Sequence, residues 1–186
     1  IYAGDIAVEY KEDSSPLTRA DKASNAIIQS VLAESFPFYP VLSEESGDDG
    51  ARLSSPICFI VDPLDGTKEF IKKNGEFTVN IALSFKGVPA AGVIFVPARN
   101  ELYYAARGEG AFRRDCVGGC DGAGLFDESE KIRVSPRTTG LIAVASRSHG
   151  DDRLCELLEK NRDRLAGTIT AGSSLKGCLV ASGAAD

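Results

Sequence analysis

The sequence predicts a mixed α/β (α+β) fold, and three observations carry that prediction. Residues 57–61, Ile-Cys-Phe-Ile-Val, form an unbroken apolar run of strand length, which is typical of a strand buried on both faces. Further strand-like segments follow between residues 78 and 113 at the spacing of hairpins. Beyond residue 136 the pattern changes to strand, helix, strand and helix. The chain therefore combines an antiparallel meander with an α/β segment.

The first element with a clear periodicity is a helix over residues 18–35. Thr18 can cap it, and Asp21 occupies the third helical position, as in a capping box. Apolar residues such as Ile28 and Leu32 recur at helical spacing and supply the buried face. Prolines follow soon after and stop the helix.

The remaining elements are predicted from changes of period and from turn residues. A short helix is predicted over 67–72. The meander has strands over 78–84, 90–96, 101–106 and 110–113. After a Gly- and Asp-rich excursion over 114–130 come a strand over 141–146, a helix over 151–165, a strand over 168–171 and a final helix after 172–174.

The composition bounds both the organisation and the partners. We place a domain boundary near 134–138, between an N-terminal α+β domain (1–135) and the start of a C-terminal α/β substrate-binding domain (136–186). Against 27 acidic residues the chain has 21 basic ones and no basic run, which disfavours a nucleic-acid polymer as partner. No apolar run approaches the ~18 residues of a membrane span. Five cysteines, an odd number, argue against a complete disulfide framework and favour the cytoplasm.

The sharpest local feature is Asp62-Pro63-Leu64-Asp65-Gly66-Thr67, directly after the apolar strand. Two carboxylates at a strand end, with a proline that fixes the turn and a glycine that allows close approach, gather several oxygens at one point. Hard cations such as Mg²⁺ bind that kind of arrangement. The alternative is an ordinary strand-to-helix turn in which Asp65 caps the helix.

Glu44 and Glu45 form a second acidic cluster, where a short strand at 41–42 is predicted to end. Adjacent glutamates are usually a solvated loop. If the two strands are neighbours, however, their ends bring the clusters together, and cations would offset the repulsion.

Three motifs occur in order along the chain: Leu-Ser-Glu-Glu at 42–45, Asp-Pro-Leu-Asp-Gly-Thr-Lys-Glu-Phe at 62–70 and Gly-Ser-Ser-Leu-Lys at 172–176. Together they resemble the inositol monophosphatase superfamily. Residues 68–83 resemble the CysQ-type 3′(2′),5′-bisphosphate nucleotidases in particular. The resemblance covers nearly the whole chain apart from 114–130, and it implies a layered αβαβα sandwich of the inositol monophosphatase and sugar phosphatase type.

The resemblance also implies Mg²⁺-dependent removal of a phosphate from a small molecule. Carried over by position, Glu44, Asp62 and the Leu64 carbonyl would hold one Mg²⁺, and Asp62 and Asp65 a second. Glu45 would bear on a third, weaker ion. Two such ions can activate water and stabilise the leaving oxygen of an in-line displacement.

The same resemblance gives roles to residues outside the metal cluster. Asp21 and Thr67 would form the dyad that activates water, although the capping box explains Asp21 equally well. The substrate-binding residues by position are Glu44, Asp65, Gly66, Thr67, Lys68, His149, Ser173 and Lys176. For His149 an exposed loop position, and for Lys176 a solvated helix face, are the alternatives.

The resemblance predicts hydrolysis of 3′-phosphoadenosine 5′-phosphate to AMP and phosphate. An inositol monophosphatase or mixed-specificity phosphatase is the first alternative, and a non-catalytic metal- or nucleotide-binding protein on the same fold is the second. The expected partner is a small phosphorylated nucleotide, and a homodimer is compatible with this interpretation. The family's further metal-binding aspartate, its Tyr-Pro-Arg segment and its first helix would fall outside residues 1–186, so we expect a partial chain, truncated at both ends.

Overall fold

A computed structural model describes residues 1–4, 6–11, 16–117, 119, 128–147 and 152–186. Its helices are α1 (Arg19–Ser35), α2 (Thr67–Ile71), α3 (Asp152–Lys160) and α4 (Leu175–Ala181). Its strands are β1 (Val8–Tyr10), β2 (Pro16–Thr18), β3 (Val41–Ser43), β4 (Ile57–Asp65), β5 (Thr78–Phe85), β6 (Val88–Val96), β7 (Glu101–Ala106), β8 (Gly110–Asp115), β9 (Glu130–Ile132), β10 (Leu141–Ser146) and β11 (Leu165–Ala171). Short 3₁₀ helices occupy Ala51–Ser54 and Arg162–Arg164.

A seven-stranded sheet is the centre of the molecule, with strand order β3-β4-β5-β6-β7-β8-β9. Strand β3 runs parallel to β4, and every later neighbour is antiparallel. Strands β10 and β11 form a separate parallel pair, and β1 with β2 forms a small antiparallel hairpin. The predicted mixed α/β class and the antiparallel meander are confirmed.

Helices cover both faces of the central sheet. On one face, Leu32 of α1 packs against Phe59 and Val61 of β4. On the other, Leu175 and Cys178 of α4 pack in a cluster with Val96 and Tyr103. The faces alternate along each strand, so this clustering gives a helix–sheet–helix layering, with the β10–β11 pair beside α4.

Several local predictions need correction. The helix predicted over 151–165 ends at Lys160, and a strand already begins at Leu165, because Gly167 disfavours helix and the β-branched Thr168-Ile169-Thr170 favours extended backbone. The apolar run in β4 is not buried throughout, since Ile60 is 46% exposed. The short strands β1, β2 and β9 carry no clear period. Cys58, Cys155 and Cys178 are free thiols, whereas Cys116 is disulfide-bonded.

The sheets divide where the sequence predicts a domain boundary. Strand β9 closes the central sheet at Ile132, and β10 opens the second sheet at Leu141. The division into two domains stays a prediction. In the described part of the chain, no helix is both long enough and apolar enough to span a membrane.

Candidate active site

The two acidic clusters leave the central sheet at neighbouring strand ends. Ser43 of β3 lies opposite Val61 of β4, and the Glu44 N–H donates to the Val61 carbonyl at 3.1 Å. Glu44 therefore follows its strand beside Asp62. The predicted convergence of these strand ends is confirmed by the parallel register.

The surroundings of Asp62 compensate its negative charge poorly. One of its oxygens accepts a hydrogen bond from the Leu64 N–H at 3.1 Å. Burial, reinforced by the negative charges of Glu44 and Asp65, raises the pKa of Asp62 to about 7. A cation between these carboxylates would relieve the repulsion that the pKa reflects.

Asp65 stands at the end of β4, after an irregularity in the pairing of β4 with β5. Its Oδ2 accepts hydrogen bonds from the Ser174 N–H at 2.7 Å and the Ser174 hydroxyl at 2.6 Å. The Asn80 side-chain amide donates to the same oxygen at 3.2 Å. These contacts join the end of β4 to the turn before α4.

A lysine supplies positive charge at the glutamates. Lys11 Nζ lies 2.9 Å from Glu44 Oε1 and 2.5 Å from Glu45 Oε1. Partial burial works to lower the pKa of Lys11, but the hydrogen bonds to Glu45 and Glu44 outweigh it and raise the pKa above its usual value. Lys11 therefore stays charged and offsets one of the two negative charges of the Glu44–Glu45 pair.

The donor chemistry fits a hard cation, although the ligands are not gathered around one point. Within the described ranges, no three His, Cys, Asp or Glu side chains form a group that could hold a metal ion as they stand. Lys11 engages Glu44, and Ser174 engages Asp65. The carboxylates and the Leu64 carbonyl are the oxygen ligands that Mg²⁺ prefers, and Glu44 would have to exchange Lys11 for the ion.

Asp21 is fully buried and has two partners at once. Its Oδ2 accepts from the Thr18 N–H at 2.8 Å and the Thr18 hydroxyl at 2.5 Å, and its Oδ1 accepts from the Thr67 hydroxyl at 3.1 Å. The capping box is confirmed. The same carboxylate also contacts Thr67, so the capping and dyad geometries coexist. The catalytic role of the pair stays a prediction.

A cavity of about 500 Å³ opens between the end of β4 and the turn before α4. The predicted site residues that line it are Glu44, Asp65, Gly66, Thr67, Lys68, Ser173 and Lys176. Lys176 Nζ donates to the Ser173 carbonyl at 2.7 Å. Acidic side chains and the two lysines Lys68 and Lys176 therefore line the same cavity. His149 lies outside the described residues.

Sequence reasoning missed several residues that shape this site. Ser174 stands in a motif that we quoted, but a serine gives no local sign that it will bind an aspartate 109 residues away. Asn80 could have been found, because pairing β5 antiparallel to β4 puts it opposite Asp62. Lys11 carries no sequence pattern of its own.

Comparison with known proteins gives consistent matches. The family model described as "Inositol monophosphatase family" matches residues 2–186. The 3′(2′),5′-bisphosphate nucleotidase CysQ of Salmonella typhimurium is 43% identical over 188 residues, which cover 100% of this chain and 71% of that protein. The protein of the same name from Escherichia coli K12 is 43% identical over 176 residues, or 94% of this chain and 66% of its own.

A solved structure agrees with the sequence matches. The crystal structure of CysQ from Bacteroides thetaiotaomicron, described as a bacterial member of the inositol monophosphatase family, superposes with a TM-score of 0.80 at 42% identity. The match covers 95% of this chain and 67% of that one. This chain therefore spans about two thirds of the length of the relatives it matches.

Proposed function

Because this chain belongs to the inositol monophosphatase family, we propose that it carries the active site of a metal-dependent phosphomonoesterase that hydrolyses the 3′-phosphate of 3′-phosphoadenosine 5′-phosphate to AMP and phosphate. One observation carries the proposal. One cavity is lined by acidic groups, by Thr67 and by Lys176. Such a cavity suits a substrate with one phosphate to be transferred and a second to be held.

Glu44, Asp62 and the Leu64 carbonyl would hold one Mg²⁺, and Asp62 with Asp65 a second, with Glu45 beside a third, weaker ion. Bound divalent cations supply activated water and neutralise charge on the transferring phosphoryl group. The raised pKa of Asp62 supports this assignment, since it reflects first the burial of the carboxyl group and then the nearby negative charges of Glu44 and Asp65.

Thr67 and Asp21 would orient the attacking water. The Thr67 hydroxyl donates a hydrogen bond to Asp21 Oδ1, so its lone pairs remain to accept a hydrogen bond from water. Asp21 is itself fixed by two hydrogen bonds from Thr18, which keeps Thr67 in one rotamer. The dyad would therefore position the water rather than hold it by charge alone.

The turn that carries Ser173 and Lys176 would bind the phosphate that is not transferred. Lys176 and Ser173 lie one turn apart at the start of α4, and Lys68 lines the same cavity. A lysine facing a phosphate gives a charge-assisted contact. The cytoplasm is the proposed compartment; the free thiols of Cys58, Cys155 and Cys178 support it, whereas the disulfide at Cys116 does not.

The test is phosphate release by the protein expressed with its natural flanking sequence. 3′-Phosphoadenosine 5′-phosphate should be hydrolysed with the higher kcat/KM, compared with inositol 1-phosphate at the same Mg²⁺ concentration. A preference for inositol 1-phosphate would favour the inositol monophosphatase alternative. Tight nucleotide binding without turnover of either compound would favour a non-catalytic binding protein.

A further inference from the structure

An ion pair between the buried Glu76 and the partly exposed Arg147 joins the two halves of the candidate site. Glu76, only 8% exposed, precedes β5, and Arg147 follows β10. Arg147 Nε donates to Glu76 Oε2 at 2.6 Å, and Arg147 Nη2 donates to Glu76 Oε1 at 2.8 Å. This is a two-pronged contact across 71 residues of sequence.

Glu76 also holds the turn that precedes α4. The Gly172 N–H donates to Glu76 Oε2 at 2.9 Å. A Cβ on Gly172 would come within 2.7 Å of both the Glu76 carbonyl oxygen and Glu69 Cγ. The turn is therefore pressed against the Glu76 backbone, and only glycine fits there.

The turn then delivers Ser174 to Asp65. Ser173 has a φ of 47°, a left-handed conformation that a serine adopts only when its surroundings impose it. The next residue donates both its N–H and its hydroxyl to Asp65 Oδ2. Asn80 bridges the same two partners, 3.0 Å from the Ser174 hydroxyl. All these donors reach Oδ2, so Oδ1 is the oxygen of Asp65 that would be left for a cation.

We propose that the Glu76–Arg147 pair is a positioning clamp, which fixes the turn 172–174 so that Ser174 holds Asp65 in its cation-binding orientation. The inference rests on the proposed metal-dependent function and deepens it. The apolar cluster of Leu175, Cys178 and Val96 also joins the two halves. The fold therefore does not depend on the ion pair alone. The clamp fixes the position of the turn, and the apolar cluster holds the two halves together.

The test is a double-mutant cycle read by equilibrium cation binding, with calorimetry in Mg²⁺ and no substrate present. We expect Arg147→Met to weaken Mg²⁺ binding by about 3- to 10-fold, and Ser174→Ala by a similar factor, as for the loss of one or two hydrogen bonds. In the Ser174→Ala background, where only the backbone N–H still reaches Asp65, Arg147→Met should cost less than it costs alone.

Two further variants separate positioning from general destabilisation. Arg113→Met removes another partly exposed arginine, which pairs with Glu101 and Asp115 away from the turn, and it should leave Mg²⁺ binding within twofold. Arg147→Lys keeps the charge without the two-pronged contact, and it should give an intermediate loss. It also serves if Arg147→Met fails to fold.

The clamp is overturned if the losses simply multiply in the double variant, or if Arg147→Met lowers the melting temperature without changing Mg²⁺ affinity. Absence of Mg²⁺ binding in the wild type would overturn it as well. If the cycle behaves as expected but the nucleotide is not hydrolysed, the proposed substrate fails and the clamp stands.

Discussion

Two carboxylates on either side of the candidate site have opposite electrostatic surroundings. At the strand end, burial and the charges of Glu44 and Asp65 raise the pKa of Asp62 to about 7. At the clamp, the Arg147 guanidinium holds the pKa of Glu76 below its usual value, despite partial burial. Each acid has a neighbour that lines the cavity: Asp65 for Asp62 and Gly172 for Glu76.

The difference shows which charges the chain satisfies for itself. Glu76 receives hydrogen bonds from Arg147 and from the Gly172 N–H, so its charge already stabilises the folded state. Asp62 has one backbone donor and two acidic neighbours, an arrangement that costs stability unless a ligand arrives. An acidic side chain whose charge is poorly compensated indicates a binding site, whereas one that is fully paired indicates a structural role.

The comparison predicts its largest effect at Asp62. Asp62→Asn should reduce kcat by about 10³-fold or more, because under the proposed assignment Asp62 would be shared by two cations and would support several kcal/mol of transition-state stabilisation. The fold should survive, since the change removes repulsion. Steady-state kinetics and a melting curve in EDTA measure the two effects. Wild-type kcat at saturating Mg²⁺ would remove Asp62 from the site.

Substitution of Lys176 should change the affinity for the substrate. Lys176→Ala should raise KM for the bisphosphate nucleotide by roughly ten- to a hundredfold, because a charge-assisted contact of ~1.5–3 kcal/mol is lost. For inositol 1-phosphate the rise should be smaller, since that compound has no second phosphate. Equal effects on both substrates would mean that Lys176 only supports its turn, through the Ser173 carbonyl.

The clamp can be broken sterically without touching a charge. Gly172→Ala places a methyl group 2.7 Å from the Glu76 carbonyl oxygen and from Glu69 Cγ, so the backbone must move. We expect a loss of ~1–3 kcal/mol in the free energy of unfolding, as for overpacking elsewhere. Chemical denaturation measures it, with Gly177→Ala, which meets nothing within 4 Å, as the matched control.

The pH dependence of stability should separate the two acids in protein freed of metal. The pKa of Asp62 is raised from 3.8 to about 7, so its contribution to stability is complete below about pH 4 and is lost as the pH rises to about 7. The pKa of Glu76 is lowered from 4.5. Its contribution to stability is therefore complete above about pH 4.5 and is lost as the pH falls through the lowered pKa.

Melting curves in EDTA test this opposition directly. The melting temperature of Asp62→Asn relative to the wild type should increase between pH 5 and pH 8. A difference that stays constant across this range would show that Asp62 is not the titrating group.

The smallest expected effect concerns Lys11, which pairs with Glu44 and Glu45. Lys11→Met frees Glu44 and Glu45 from their ion pairs, and it should lower the half-saturating Mg²⁺ concentration by about two- to fivefold, since a partly exposed ion pair is worth ~1 kcal/mol or less. Lys11→Arg keeps the charge and should behave like the wild type. Weaker Mg²⁺ binding in Lys11→Met would contradict competition between the lysine and the ion.

Local patterns predicted the elements that depend on neighbours in sequence. Thr18 and Asp21 marked the start of α1, and the turn spacing marked the strands of the meander. The acidic turn was found for the same reason, because Asp62 and Asp65 stand three residues apart. The end of α3 was missed, since no glycine or proline marks Lys160 and the strand preference of residues 167–170 decides it.

Contacts between distant segments could not be predicted in this way. The bond from Ser174 to Asp65 spans 109 residues, and that from Arg147 to Glu76 spans 71. Each requires the position of the β10–β11 pair against the central sheet, which no local period contains. The exposure of Ile60 is a similar case, because an apolar run reports burial only on average.

The strand order of the central sheet has a consequence for how the molecule folds. From β4 to β8 each strand pairs with its neighbour in sequence, so hairpins can form one after another with short loops to close. The Asp65–Ser174 and Glu76–Arg147 contacts close much longer loops. Refolding followed by pulsed hydrogen exchange should therefore protect the meander amides first. We therefore expect the cavity to form last. The sheet folds first, and the candidate site is complete only after the distant segments have docked.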